Sequence, residues 1–376
     1  MTEGRLRIAI LAPPVLPVPP PVYAGTERVI SALVDELVRR DHQVTLFAPG
    51  DSVVEAELVA APPRSLWSTG YHGEIVPYIN VTLARAWAQH ERFDVIHSHV
   101  ETAGFLFARH CSSPVVSTLH GRLDTNGSPD LLDEFDEIPL VAISENQRRW
   151  APNANWVATI HHGLPLERMP FSPTPGSYLA FVGRVAPEKG VAESIELARR
   201  TNLPLRIAAK VYEPAEKEHF AEVVEPAIAD GTVEFLGELG EPERDALYAG
   251  ALATLMLVAW PEPFGLVAIE SMATGTPVIG RRAGALTETI EHGVDGFLVD
   301  DLDEAELAVG RAVELDRELI RRRALERFSP GRMTDQYELV YRALLAKRAA
   351  GGPMRRLHAN LLDGEPTPPV DRERSA

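Results

Sequence analysis

The sequence contains a single cysteine, Cys111, among its 376 residues. One cysteine excludes an internal disulfide and a cysteine-rich metal site. Long apolar runs are also missing. Prolines interrupt the run at residues 8–12, and no segment approaches the roughly 18 apolar residues of a membrane span. The residues at the start of the chain do not have the pattern of a secretory signal, so we expect a cytoplasmic protein.

Basic residues are in deficit, since 37 Lys and Arg stand against 54 Asp and Glu for a net charge of −17. Nucleic-acid binding relies on basic surfaces that displace counterions, so we expect no nucleic-acid partner. The same balance argues against docking by charge on an anionic membrane.

The chain is also longer than the ~250–300 residues at which a single core stops growing, which favours two domains.

Short apolar strands alternate with amphipathic helices along almost the whole chain, which predicts an α/β fold with parallel sheets and crossover helices. One set of strands begins near residue 6 and a second near residue 177, separated by a proline-rich stretch. We therefore predict two doubly wound, Rossmann-like domains that face a cleft, each binding polar ligands at the carboxyl ends of its strands. The predicted divisions are an N-terminal acceptor-side domain over 1–164, a linker over 165–176, a donor domain over 177–328, a helix crossing back over 329–350 and a flexible tail over 351–376.

The strongest local motif is Trp260-Pro261-Glu262-Pro263-Phe264-Gly265-Leu266-Val267-Ala268-Ile269-Glu270, which follows a buried strand and opens a helix. It places Glu262 on a loop and Glu270 on the second helical turn, within roughly 10–12 Å along the axis. Gly265 permits close approach of a ligand to the backbone. The amides of Phe264, Gly265, Leu266 and Val267 are predicted to be uncapped donors that point at an anion.

A second motif, Gly183-Arg184 followed by Glu188-Lys189-Gly190, joins a strand to a helix. Two cations beside helix amides suit a diphosphate, which Arg184 can bind through two parallel hydrogen bonds. Taken alone, the segment is equally consistent with an ordinary turn that carries surface cations.

Two strand ends in the first half carry further candidates. Ser117-Thr118-Leu119-His120-Gly121 places His120 at a carboxyl end, where the alternative is a histidine satisfied at the rim of the core. His97 and His99 end another strand, but no acidic or cysteine partner is apparent, so we expect no metal there.

Tyr23-Ala24-Gly25-Thr26-Glu27 resembles a weak phosphate loop. It lacks the glycine pattern of dinucleotide-binding proteins, which makes a dehydrogenase a distant alternative.

Together these motifs resemble those of the retaining glycosyltransferases of family 4, which have the two-domain fold called GT-B. The likeness covers residues 6 to about 345 and includes Gly275-Thr276-Pro277-Val278-Ile279 and Gly293-Val294-Asp295-Gly296-Phe297-Leu298-Val299. The resemblance implies a hexosyltransferase that uses a nucleotide diphosphate sugar, with a UDP-sugar favoured and GDP-mannose next. Neither a cofactor nor a metal is expected, and the acceptor is a small molecule, a saccharide or a lipid-linked compound.

The resemblance also implies roles for individual residues. Glu262 would hold hydroxyls of the donor sugar and Glu270 those of the ribose, while Arg184 and Lys189 would neutralise the diphosphate. His120 would lie near the reacting centre. The donor-binding group is completed by residues whose backbone approaches the ligand, namely Gly25, Gly183, Phe264, Gly265, Leu266 and Val267.

The chain departs from the family pattern at Ala24, His162 and Lys210, which puts donor and acceptor identity in question more than activity. The loops at residues 13–23 and 123–137 are candidate acceptor determinants. Two further enzyme or binding functions remain open at this point: a nucleotide-sugar epimerase or hydrolase on the same fold, and a catalytically silent sugar-nucleotide-binding protein.

Two short polar motifs are interpreted as helix caps. Asp301-Leu302-Asp303 resembles the metal motif of the other glycosyltransferase fold, but it precedes a helix whose N-terminus favours acidic residues. Ser144 to Gln147 has the spacing of a capping box. Residues 304–349 are expected to be helical with an interruption near Ser329-Pro330-Gly331.

Overall fold

The structure is a computed structural model that describes residues 4–22, 24–71, 73–124 and 128–350. Tyr23 and the predicted tail over 351–376 lie outside the described residues. The contacts divide the chain into two units: unit 1 combines the residues up to Leu164 with those from Pro330 onward, and unit 2 is Pro165–Ser329. Each unit contains one parallel sheet with helices, which confirms the predicted α/β fold of two Rossmann-like domains.

Unit 1 is built on a sheet with the strand order β3-β2-β1-β4-β5-β6-β7, in which every pairing is parallel. The strands are β1 (Arg7–Leu11), β2 (Gln43–Ala48), β3 (Glu57–Ala60), β4 (Val95–Ser98), β5 (Val115–Thr118), β6 (Leu140–Ala142) and β7 (Trp156–Thr159). The helices of its N-terminal part are α1 (Gly25–Arg39), α2 (Val76–Trp87), α3 (Phe105–Arg109), α4 (Ser128–Glu134) and α5 (Glu145–Arg148). Parallel strands end at one edge, so the residues after β4, β5, β6 and β7 come together there.

Unit 2 has a second parallel sheet in the order β10-β9-β8-β11-β12-β13. Its strands are β8 (Leu179–Arg184), β9 (Leu205–Lys210), β10 (Val233–Gly237), β11 (Ala253–Met256), β12 (Val278–Arg281) and β13 (Gly296–Val299). Its helices are α6 (Val191–Thr201), α7 (Pro214–His219), α8 (Glu225–Ala229), α9 (Glu241–Ala249), α10 (Leu266–Ala273), α11 (Leu286–Thr289), α12 (Leu302–Ala312) and α13 (Arg317–Arg327). A π-helical turn, Phe220–Val224, joins α7 to α8.

Apolar side chains on both faces of each sheet form the cores. In unit 2, the buried strand residues Phe181, Ile207 and Leu255 pack with the inner faces of α6 and α12. In unit 1, Leu119 and Leu140 pack with Phe105 on one face, while Leu11 and Phe47 pack with α2. Because both faces of the sheets are covered, polar side chains concentrate at the carboxyl ends of the strands.

The C-terminal helix α14 (Pro330–Ala349) belongs to unit 1. It buries Met333, Tyr337, Val340, Tyr341 and Leu344, spaced three or four residues apart along one helical face with one adjacent pair. Ion pairs attach it to the end of α1, where Arg40 contacts both Asp335, at 2.6 Å, and Glu338, at 2.8 Å.

The expected interruption near Ser329 is confirmed, because α13 ends at Arg327 and α14 begins at Pro330. A second break was not predicted: α12 ends at Ala312, and α13 begins after Asp316, whose side chain caps it. Pro330 and Gly331 follow the predicted break and occupy the first turn of α14. Proline fits there because the first helical amides have no partner within the helix.

Candidate functional site

Arg184 is the last residue of β8, one position beyond the predicted strand end at Gly183. Its guanidinium donates to Glu216 at 2.8 Å and to Glu188 at 3.0 Å. Glu216 is buried and also accepts the amides of Tyr212 and Glu213. Burial alone would raise the pKa of Glu216, but these amides and Arg184 together hold it below its usual value. Glu216 therefore remains a carboxylate that orients the arginine.

Lys189 and Glu262 meet at the carboxyl ends of the neighbouring strands β8 and β11. The Lys189 ammonium lies 2.9 Å from Oε2 of Glu262 and 4.3 Å from the ring centre of Trp260. The Trp260 indole N–H donates to the same carboxylate oxygen at 3.0 Å. A main-chain hydrogen bond from Ala259 to Glu188 joins the two loops. The structure thus brings together two residues that the sequence placed in separate motifs.

Gly265 immediately precedes α10 with a φ of +90°, a conformation that favours glycine. No side chain caps the helix, so its first amides remain available at the strand edge. Phe264 is buried and packs edge-on against Phe328, which fixes the start of the helix. The helix begins at Leu266, and the next residue, Val267, is buried.

Glu270 lies on the second turn of α10, as expected, but its carboxylate has no exposed surface. It accepts a hydrogen bond from the Tyr248 hydroxyl at 3.0 Å, and Arg244 lies 3.9 Å away. Both partners come from α9. The two glutamates of the motif therefore have different surroundings. Glu262 is partly exposed and contacts Lys189, whereas Glu270 is buried between α10 and α9.

In unit 1, His120 follows β5 and is partly exposed. Its Nε2 lies 2.8 Å from Nδ1 of His99, which follows the adjacent strand β4. Its ring is stacked on that of His162, with a centroid distance of 5.1 Å. Burial lowers the pKa of His120 to about 4, so the ring is neutral at pH 7.

Two side chains that the sequence analysis did not select hold the main chain around His120. Glu101 accepts the amides of His120 at 2.9 Å and Gly121 at 3.1 Å. Gln147 donates its amide hydrogens to the carbonyls of Leu119 at 2.9 Å and Gly121 at 2.8 Å. Ser144 accepts the Gln147 amide as the capping interpretation predicts, and the Gln147 side chain accepts the amide of Ile143.

His97 sits deeper in the same unit and has both ring nitrogens engaged. Nδ1 lies 2.7 Å from the Tyr341 hydroxyl, and Nε2 lies 2.7 Å from the Thr118 hydroxyl. Burial lowers the pKa of His97 to about 3. Neither nitrogen has a lone pair left for a metal while these bonds persist. Among the described residues, no three His, Cys, Asp or Glu side chains converge as metal ligands would.

The remaining candidate, Gly25, is the first residue of α1. The residue before it, Ala24, offers no side-chain cap to this helix. Asp301 accepts the amide of Glu304 at 2.9 Å, which confirms its interpretation as a helix cap.

Two family models match the chain in succession. Residues 23–168 match the description "Glycosyltransferase Family 4" and residues 168–324 match "Glycosyl transferases group 1". The chain is 30% identical over 313 residues to the glycogen synthase of Mycobacterium tuberculosis, which covers 73% of each protein. The chain belongs to glycosyltransferase family 4.

A further relative and a solved structure extend the comparison. The D-inositol 3-phosphate glycosyltransferase of Streptomyces scabiei is 28% identical over 313 residues, 70% of this chain and 69% of that protein. The structure of Anabaena HepE, solved in complex with UDP and glucose, superposes with a TM-score of 0.69 at 19% identity, over 90% of this chain and 100% of that chain. The GT-B fold predicted from the motifs is thereby confirmed.

Within the described part of this glycosyltransferase, no helix is both long enough and apolar enough to cross a bilayer. Sequence reasoning missed Glu101, which is 19 and 20 positions from the amides that it holds, and Gln147, which is 26 and 28 positions from its carbonyls. Their sequence signal is weak, because Glu101 looks like a surface residue of a short helix and Gln147 looks like a cap.

Proposed function

We propose that this glycosyltransferase moves a hexose from a nucleoside diphosphate sugar to an acceptor hydroxyl with retention of the anomeric configuration. The observation that carries the proposal is the cluster at one edge of the unit 2 sheet. There the cations Arg184 and Lys189 lie near strand ends, beside Glu262 and the uncapped start of α10.

Charge explains how this cluster suits a diphosphate. Cleavage of the sugar–phosphate bond develops positive charge on the sugar and negative charge on the departing nucleoside diphosphate. Arg184 and Lys189 would stabilise that negative charge, as would the first amides of α10. Arg184 pairs with the partly exposed Glu188 as well as with the buried Glu216, and Lys189 pairs with the partly exposed Glu262. An incoming diphosphate would replace or share the two partly exposed partners.

The sugar and ribose would be held by the two glutamates. We assign sugar hydroxyls to Glu262 and to the backbone at Phe264, Gly265, Leu266 and Val267. We assign the ribose hydroxyls to Glu270, which requires a side-chain movement because Tyr248 and Arg244 now enclose it. Gly25 and Gly183 would allow close approach of the backbone to the phosphates.

Retention would follow from attack of the acceptor on the face that the diphosphate leaves. His120 would lie near the sugar, where a neutral imidazole can hydrogen-bond a hydroxyl. We expect no divalent metal requirement, because Arg184 and Lys189 supply the positive charge that a metal would bring to the diphosphate.

A UDP-sugar is our first choice of donor and GDP-mannose our second. Support for the first comes from HepE, which binds UDP and glucose on the same fold. The acceptor would be a small molecule, a saccharide or a lipid-linked compound, and the names of the relatives include both an inositol phosphate transferase and a glycogen synthase.

The test is calorimetric titration of the purified protein with UDP, GDP, UDP-glucose and GDP-mannose, with and without Mg²⁺. We expect one nucleotide to bind without metal. Arg184→Ala should weaken the binding of that nucleoside diphosphate much more than the binding of the corresponding nucleoside. Arg200→Ala, which removes an arginine of α6 paired with Glu196 and Asp303, is the matched control and should bind normally.

The absence of binding by all four compounds would contradict the donor proposal. Release of free sugar or of an epimer, with no transfer to any acceptor, would instead favour the hydrolase or epimerase alternative. Anomeric analysis of a transferred product by NMR would decide retention.

A further inference from the structure

The His99 side chain has an unusual hydrogen-bonding arrangement. Only 1% of the residue is exposed, and its Nδ1 contacts Nε2 of His120 at 2.8 Å. Its other ring nitrogen, Nε2, has no hydrogen-bond partner among the described residues. Burial together with the neighbouring histidines lowers the pKa of His99 well below its ordinary value. Both His99 and His120 are therefore neutral at pH 7, and each ring carries one proton.

One proton lies between the two rings, and its position can be worked out. If His120 donated from Nε2, His99 would accept at Nδ1 and would carry its own proton on the enclosed Nε2. That arrangement leaves a buried N–H without an acceptor. Buried donors without partners are rarer in proteins than buried acceptors without partners. The opposite arrangement leaves only a bare lone pair on Nε2 of His99.

We propose that His99 is a positioning residue that donates from Nδ1–H and fixes His120 as the Nδ1–H tautomer. His120 then presents a neutral N–H donor, whose natural ligand is a hydroxyl or ether oxygen of a sugar. Its Nε2 lone pair is occupied by His99, so His120 does not take a proton from the acceptor. The identity of that ligand rests on the proposed function, whereas the tautomer does not.

The main chain of His120 is positioned as firmly as its ring. Glu101 holds the amides of His120 and Gly121, although its own φ of +51° lies in the left-handed region that is unfavourable for a non-glycine residue. Gln147 holds the carbonyls on both sides of His120. A hydrogen-bond donor is useful for recognition only when its direction is fixed, and these contacts fix it from the ring and from both sides of the backbone.

The decisive experiment is nitrogen NMR of the full chain labelled with ¹⁵N- and ¹³C-histidine at pH 7, with no nucleotide added. His120 is assigned by the signals that disappear in His120→Gln. We expect a proton on Nδ1 and a bare Nε2. A proton on Nε2, or on both nitrogens, would overturn the proposal. The tautomer is read from the unaltered protein, and unchanged signals of the other histidines show that the variant used for assignment is folded.

Substitution of His99 gives an independent test. In His99→Leu the donor is lost, so we expect His120 to lose its single-tautomer pattern and to gain a population protonated on Nε2. His90→Leu is the control, since His90 contacts Trp87 and Ser112 and should leave the His120 signals unchanged. An unchanged His120 pattern in folded His99→Leu would contradict the role of His99.

The outcomes separate this inference from the proposed function. An Nδ1–H tautomer in a protein that binds no nucleotide sugar would support the positioning role and remove its proposed ligand. Nucleotide-sugar binding together with an Nε2–H tautomer would leave the function standing and overturn the positioning role. Once the donor is known, we expect His99→Leu to lower kcat with little change in the donor KM.

Discussion

The two sheets of this glycosyltransferase end in polar clusters of opposite character. The ionic cluster of unit 2 comprises Arg184, Glu188, Lys189, Glu216 and Glu262, which form ion pairs. The histidine cluster of unit 1, composed of His97, His99, His120 and His162, is held by ring stacking and neutral hydrogen bonds. In both units, polar residues follow the carboxyl ends of parallel strands. They form ion pairs in unit 2 and neutral hydrogen bonds in unit 1.

The difference between the clusters follows from burial. The side chains of Lys189 and Arg184 keep 21% and 40% of their surface exposed, so water lowers the cost of their charge and allows them to exchange partners. His97, His99 and His162 are enclosed, and burial drives their pKa values down until they are neutral. Exchangeable cations suit an anionic diphosphate, whereas neutral donors suit the hydroxyl groups of a sugar.

The largest expected effect concerns Glu270, a charged residue of unit 2 that is as enclosed as the histidines of unit 1. Glu270→Ala leaves Arg244 and the Tyr248 hydroxyl buried without this partner. Removal of one partner from a buried charged group is destabilising even though Arg244 keeps Asp245 at 3.0 Å, and we expect a loss of about 3 kcal/mol in the free energy of unfolding. Urea denaturation measures it. Glu243→Ala, at an exposed position of α9, should change it little, and equal losses in both variants would contradict the assigned role of Glu270.

Lys189→Ala tests the ionic cluster itself. If the ammonium stabilises the departing diphosphate, its removal should lower kcat/KM by about 100-fold, or roughly 3 kcal/mol, as for other preorganised electrostatic donors. Steady-state release of the nucleoside diphosphate from the identified donor is the measurement. Lys217→Ala removes an exposed lysine of α7 as the control, and activity should be retained. Full activity of Lys189→Ala would show that the pair with Glu262 serves stability alone.

Gly284→Ala tests whether the position of Glu262 matters. Gly284 has a φ of +59°, and an added Cβ would lie 2.3 Å from the Glu262 nitrogen, so the main chain at Glu262 must move. We expect about 2 kcal/mol of strain and a weakened donor affinity in calorimetry. Gly231→Ala has a similar φ of +82°, but no atom of the described residues lies within 4 Å of the added Cβ. Gly231→Ala should lower the free energy of unfolding without weakening donor affinity. Equal donor affinity in the two variants would contradict a role for the position of Glu262 in donor binding.

The smallest expected effect, counted per pH unit, is the change in the free energy of unfolding that the histidine cluster causes on acidification. The folded pKa values of His97 and His120, about 3 and 4, lie below the ordinary value of 6.5. The unfolded chain therefore binds more protons between these limits, and the free energy of unfolding should fall by about 1.4 kcal/mol per pH unit for each histidine as the pH drops below about 6. Glu101 acts in the opposite direction, because burial raises its folded pKa to about 7 and its protonation favours the folded state.

His97→Gln isolates this contribution, since an amide can replace the hydrogen bonds of the imidazole but does not titrate. Its loss of stability on acidification should be less steep than that of the unaltered protein by about 1.4 kcal/mol per pH unit. Chemical denaturation at several pH values measures the slopes. The exposed His110 supplies the control variant His110→Gln, and identical slopes in all three proteins would contradict the buried, neutral state of His97.

Sequence reasoning located the ionic cluster more completely than the histidine cluster. Arg184, Lys189 and Glu262 lie in motifs with glycines and prolines at strand ends, which local sequence reveals. His99 and His120 were noticed, but their partners Glu101 and Gln147 come from other loops and have no distinctive pattern. The contact of His97 with Tyr341 spans 244 positions, a separation that periodicity cannot predict. Burial of Glu270 was missed for the same reason, because α9 supplies both of its partners.

The discontinuous composition of unit 1 has a consequence for biosynthesis. Unit 2 is one continuous segment, so it is complete when residue 329 has left the ribosome. The polar interior of unit 1 must wait for α14, because Tyr337 and Tyr341 supply the hydroxyls that contact Thr118 and His97. The unit that is translated first is thus finished last. A nascent chain stalled before Pro330 would carry a complete ionic cluster and an unfinished histidine cluster.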